Sequence, residues 1–265
     1  MKKTKQTDLS VPGSNKTLSN VPDFLKGEKV LGLDGIDQAD LILPRIKLMQ
    51  DMSPEVQAGT HKAGELVNSL TGQNYGTKLE FVPLDKSKTR MFWQDRKDGN
   101  AVLCSSDDGK KPKDPAAAGA IAQKLKMKDV PKVMAECKLC PFGNWSGEEE
   151  GDERSAPRCT SYYNFPMLIK GESSPTALTM SRTKLKIGKK LLSLVALSGD
   201  NVSLFAKRYE LTTVKEKSKL GSYFNYAIKP VGYVTEAEYK ITKGLHESFK
   251  AMHVVVEQEH PDKQD

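Results

Sequence analysis

The chain has 265 residues, with 41 Lys or Arg against 34 Asp or Glu for a formal net charge of +7, and a mean hydropathy of -0.53. That length suits one sizeable domain with embellishments or two small ones, and no apolar run approaches the ~20 residues of a membrane span. The opening Met1-Lys2-Lys3-Thr4-Lys5 continues into Gln, Asp, Ser and Pro with no apolar stretch, which excludes a secretory signal and predicts a cytoplasmic protein with no membrane partner.

Residues 1–39 scatter Pro, Gly, Ser and Asn without a sustained period and read as a flexible N-terminal arm. A domain is expected over 40–254. Leu41 to Met49 has strand alternation, and Glu65 to Leu70, Leu79 to Leu84, Arg90 to Gln94 and Ala101 to Cys104 read as further short strands. Pro83 restricts its strand to an edge or an end. The segment 105–160 reads as an insertion rich in Lys, Asp, Glu, Gly and Pro, with one helix from about Pro115 to Met127. Strands resume at Tyr162 to Ile169 and Thr176 to Ser181. Between Arg182 and Leu197 the period changes to a helical one, with Leu185, Leu191, Leu192, Val195 and Ala196 on one face. Phe205 to Val214 and Ser222 to Gly232 are two more strands, and Thr235-Glu236-Ala237-Glu238 is a capping box that opens a last helix to about residue 253. Residues 255–265 form a short acidic tail. Short strands at this spacing, with helices that do not alternate with them, predict a mostly β (α+β) fold built as an antiparallel barrel or sandwich.

Charge is unevenly spread. Residues 170–250 hold 15 Lys or Arg against seven Asp or Glu, a net of +8, whereas the last 15 residues have a net of −3. A basic body with an acidic end predicts a polyanionic partner.

The chain has four cysteines: Cys104, the C-x₂-C pair Cys137 and Cys140, and Cys159. Both thiolates of a C-x₂-C turn can reach one tetrahedral ion, and two more from flanking strands would complete a structural Cys₄ zinc site. Such a site would order an insertion too polar to fold by burial. Two disulfides or four unrelated thiols are the other readings. A redox pair is disfavoured because Pro141-Phe142-Gly143 continues as a turn and not into a helix.

Three strands pair an aromatic with polar or basic residues on their less apolar face: Phe92 with Arg90, Tyr162 with Asn164, and Tyr223 with Asn225 and Lys229. Aromatics can stack unpaired bases while Lys and Arg neutralise phosphates. Arg45, Lys47, Arg182 and Lys184 extend the basic set. No P-loop, G-x-G-x-x-G, H-E-x-x-H or G-x-S-x-G pattern is present, and a zinc with four thiolates has no open position for water. The protein therefore reads as a non-enzyme. Asp107 and Asp108 are the carboxylates a metal-dependent nuclease would use.

Leu43-Pro44-Arg45-Ile46-Lys47-Leu48, Ser53-Pro54-Glu55-Val56 with Gly59 and Gly64, the cysteine set, and Ser181-Arg182-Thr183 resemble the single-stranded-DNA-binding proteins encoded by bacteriophages, over about Leu43 to Phe249. The resemblance implies an OB-like barrel with aromatic and basic residues in its groove, and an acidic C-terminal tail for replication or transcription proteins. The tail here is shorter and less acidic than that pattern, and lacks a terminal aromatic. The expectation is a zinc-stabilised single-stranded-DNA-binding protein of replication or recombination. A zinc-containing transcription or recombination adaptor and a metal-dependent nuclease are the alternatives.

Overall fold

The computed structural model describes residues 43–94, 101–124, 135–144, 157–199, 201–218 and 221–252, together with Gly32, Lys126 and Val256. The chain divides into two units, Met1–Asp34 and Gly35–Asp265, and the fold belongs to the second. Apart from Gly32 and Val256, the expected arm and tail lie outside the described residues.

In chain order the elements are β1 (Ile46–Leu48), α1 (Pro54–Gln57), β2 (Leu66–Asn68), β3 (Lys78–Pro83), β4 (Ser87–Trp93), β5 (Val102–Ser106), α2 (Pro115–Lys124), β6 (Cys159–Ile169), β7 (Thr176–Ser181), α3 (Leu185–Ala196), β8 (Lys207–Ser218), β9 (Gly221–Tyr233) and α4 (Glu236–Met252). Short 3₁₀ turns occupy Cys137–Leu139, Pro141–Gly143 and Arg182–Lys184.

Seven strands form one sheet in the order β5-β4-β6-β3-β8-β9, with β7 paired to β6, and β1 and β2 form a separate ribbon. β6 is the spine. One of its edges carries β7, and the other carries β3 and then β4. β3 and β4 are in effect one bulged strand, because the amides of Leu84 and Asp85 both donate to the Pro166 carbonyl, at 2.7 and 3.4 Å. The bulge advances the register by one residue, from Pro83 opposite Met167 to Ser87 opposite Asn164.

Among the described residues the sheet is open, which corrects the expected OB-like barrel: β5 and β9 end the strand path and do not pair with each other. The edge of β9 is blocked by side chains. Gln50 donates to the Phe224 carbonyl at 2.9 Å and accepts from its amide at 2.8 Å, and the Tyr226 amide donates to Asn225 Oδ1 at 2.9 Å. With those backbone groups satisfied by side chains, no strand is needed to complete the edge.

The core lies on one face of the sheet. Phe81, Phe165, Met167, Leu178, Met180, Tyr209, Leu211, Tyr226 and Ile228 are buried there beneath Leu191 of α3. α3 comes close because Gly188 has no side chain; a Cβ there would stand 2.9 Å from the Tyr163 ring. The last helix opens as its capping box requires. Glu238 accepts the Thr235 amide at 2.8 Å, and Thr235 Oγ1 accepts the Glu238 amide at 3.3 Å. His246 then docks α4 through a 2.8 Å hydrogen bond between Nδ1 and the Leu84 carbonyl.

Candidate nucleic-acid groove and cysteine cluster

An open groove of ≈ 880 Å³ runs between five parts of the chain: the Gln50–Met52 turn after β1, Gly143 and Asn144 after the cysteine turn, the start of β6, the Arg182–Leu185 junction, and the tip of the β8–β9 hairpin. The hairpin reaches the groove because it outruns the sheet. β3 pairs with β8 only as far as Lys78 opposite Thr212, with one further bond from the Thr213 amide to the Thr77 carbonyl, and from Val214 to Ser218 β8 pairs with β9 alone.

At the junction, β7 passes straight into α3 through Arg182, whose φ of 47° is left-handed. For a residue with a side chain that costs about 1–2 kcal/mol, and such strain is held where the surroundings require it. Arg182 and Thr183 are exposed on the groove, while Lys184 is buried with its ammonium 5.8 Å from the Tyr226 ring centre.

Tyr223 lines the opposite wall. Its hydroxyl donates to Glu216 Oε2 at 2.7 Å; Asn225 Nδ2 and Lys186 Nζ donate to the same oxygen, each at 3.1 Å. These donors hold the Glu216 carboxyl below its ordinary range, the Tyr223 hydrogen bond foremost, and the same bond pushes the Tyr223 phenol up. Glu216 thus fixes the tyrosine ring and ties the hairpin to α3.

Beside the groove lies a small cavity of ≈ 30 Å³ lined by Cys104, Cys137, Cys140 and Cys159 with Phe92, Phe142 and residues of α2. All four cysteines are free thiols. Cys104 and Cys159 both sit opposite Phe92, one on each flanking strand, so the sheet register brings them to one face. The C-x₂-C turn is placed over them by backbone bonds: the Cys137 amide donates to the Lys110 carbonyl at 2.7 Å, and Arg90 Nη1 donates to the Cys137 carbonyl at 3.4 Å. Burial, with the neighbouring thiols adding to it, pushes Cys104 up to about 11 and Cys159 up to about 12. Burial raises Cys140 as well, against hydrogen bonds from the Phe142 and Gly143 amides that favour its thiolate. Four thiols and two amide donors suit a thiophilic ion chemically. Among the described residues, however, no group of three or more His, Cys, Asp or Glu side chains is drawn together closely enough to hold a metal ion.

Of the expected nucleic-acid contacts, Arg182, Lys184 and Tyr223 come together in the groove, and the others do not line it. Two of the three expected stacking platforms are corrected. Phe92 is 3% exposed and stacked on Phe142 at 4.6 Å between ring centres, under the Arg158 guanidinium. Tyr162 is fully buried, its hydroxyl accepting from Trp93 Nε1 at 3.3 Å. The β6 face that carries Thr160, Tyr162 and Asn164 is covered, so the less apolar face is not an open surface. Arg45 is buried beside Ala177, Lys47 pairs with Glu55 at 3.3 Å, and Lys229 pairs with Glu210 at 2.8 Å. Arg90 braces the cysteine turn. Asp107 pairs with Lys113 at 3.1 Å, and Asp108 caps its own turn by accepting from Ser106 and from the Lys110 and Lys111 amides.

The protein family described as Pam3 phage gp34-like protein matches residues 13–255. The chain belongs to the Pam3 phage gp34-like family. No curated protein and no solved structure matches it. Among the described residues of this phage-family protein, no helix is long and apolar enough to cross a membrane. Sequence reasoning missed the part played by Gln50, which carries no motif and acts on Phe224, 174 residues away. It also missed Glu216, whose alternation with lysines reads as an ordinary charged loop.

Proposed function

We propose that this gp34-like protein is a non-enzymatic single-stranded-DNA-binding protein of phage replication or recombination, with the strand lying in the groove beside Tyr223. The observation that carries this reading is the meeting of Arg182, Lys184 and Tyr223, from two separate segments, on one open groove. A cation beside a held aromatic ring is what a flexible strand needs: backbone neutralisation plus a stacking surface worth roughly 1–3 kcal/mol per base. A structural zinc held by Cys104, Cys137, Cys140 and Cys159 belongs to the same proposal. It would draw the thiols inward and supply folding free energy to the insertion.

The test is a fluorescence titration with labelled single strands and duplexes of equal length, with and without Mg²⁺. Single strands should bind at least ten-fold more tightly, without cleavage. Equal affinity for both forms would favour a duplex-directed adaptor. Metal-dependent cleavage that is lost when Asp107 and Asp108 become Asn would establish the nuclease instead.

A further inference from the structure

Two lysines outside the groove lie where a strand leaving it would pass. On β4 and β6 the register sets Arg90 opposite Ser161 and Lys88 opposite Tyr163. Ser161 lines the groove, and Arg90 lies against Gly143, which also lines it. Lys88 and Tyr163 are therefore the next same-face step away from the groove, about 6.8 Å along the strands.

Lys88 is held unlike a solubilising lysine. Its ammonium stands 5.8 Å from the Tyr163 ring centre, and on the other side its stem meets Gly109, where a Cβ would come within 3.0 Å of Lys88 Cγ. Tyr163 is itself packed on Gly188, and the next residue of α3 is the exposed Lys189. Burial, then the charges of Arg90 and Lys189, lower the Lys88 pKa, and among the described residues no carboxylate acts on it. A half-buried ammonium beside two like charges is unfavourable in the free protein, and a bound anion would relieve it.

We propose that Lys88 and Lys189 form a phosphate-binding step that carries a single strand on from the groove over the β4–β6 face beside α3. The ligand class is the phosphodiester backbone, so the step tolerates any base sequence. The inference rests on the single-stranded-DNA reading.

The test measures binding of oligo(dT) of about 20 nucleotides, against a short one of about 6 that fills the groove alone, across a salt series. The proteins are wild type, Lys88→Gln, Lys88→Arg, Lys189→Gln and, as a control on α4, Lys240→Gln. Each neutralising change should weaken the long oligonucleotide several-fold and flatten the slope of log K against log salt by about 0.7. The short oligonucleotide, Lys88→Arg and Lys240→Gln should behave as wild type. Unchanged slopes in Lys88→Gln and Lys189→Gln, with wild type still binding, would overturn the step and leave the groove reading standing. Absence of wild-type binding to either oligonucleotide would overturn both. Unchanged thermal melting of the variants establishes that folding is not the cause.

Discussion

At the scale of single residues, Arg182 separates binding from stability. Its left-handed backbone is strained for arginine and relaxed for glycine. Arg182→Gly should leave the melting temperature unchanged or higher while weakening single-strand affinity about ten-fold, as loss of one charge-assisted hydrogen bond to a phosphate does. A drop in both would mean that the side chain is structural. Glu216 gives the opposite case. Its folded pKa lies below the ordinary 4.5 because Tyr223, Asn225 and Lys186 donate to its charged form. The stabilisation is therefore complete above the ordinary value and is lost as pH falls through the lowered folded one. Glu216→Gln should melt lower than wild type at neutral pH, and the gap should close below pH 4.5. Thermal melts across that range check it. A gap that stays constant would show that the carboxylate charge contributes nothing.

At the scale of elements, the cysteine turn and the sheet are separable. The turn is tied to β4 and to the loop after β5 by bonds through Arg90 and Lys110, whereas the main core is built from other strands and α3. Cys140→Ser should therefore loosen residues 105–160 to proteolysis, abolish stoichiometric zinc on elemental analysis, and leave the near-ultraviolet signature of the sheet intact. Wild-type protein purified under reducing conditions without zinc would remove the metal from the reading. The elements differ in how openly the sequence declared them. β7 has the expected bounds, and the last helix begins at its capping box, because both signals are local. β8 begins at Lys207 and runs to Ser218, past the expected Val214, because its continuation Lys215-Glu216-Lys217-Ser218 looks like a solvated loop and becomes a strand only by pairing with β9.

At the scale of the whole molecule, the sequence excess of eight positive charges over residues 170–250 should make affinity fall steeply with salt, since each neutralised phosphate releases counterion. That excess does not by itself pick out the binding cations. Within it Lys229 pairs with Glu210 and Lys170 with Glu80, while Lys88, which lies outside it on the segment before the insertion, has no carboxylate acting on it among the described residues. By itself the sequence determined the antiparallel β class, the strand and helix order, and the gathering of the cysteines as candidates, because alternation, capping and spacing are properties of neighbouring residues. Only the tertiary structure decided that the sheet stays open, that Phe92 and Tyr162 are interior, and that Arg182, Lys184 and Tyr223 share a groove. Period-two alternation tells which residues share a face of a strand and nothing about what covers that face. Coverage here depends on partners far along the chain: Phe142 over Phe92, Trp93 beside Tyr162, and Gln50 along the edge of β9.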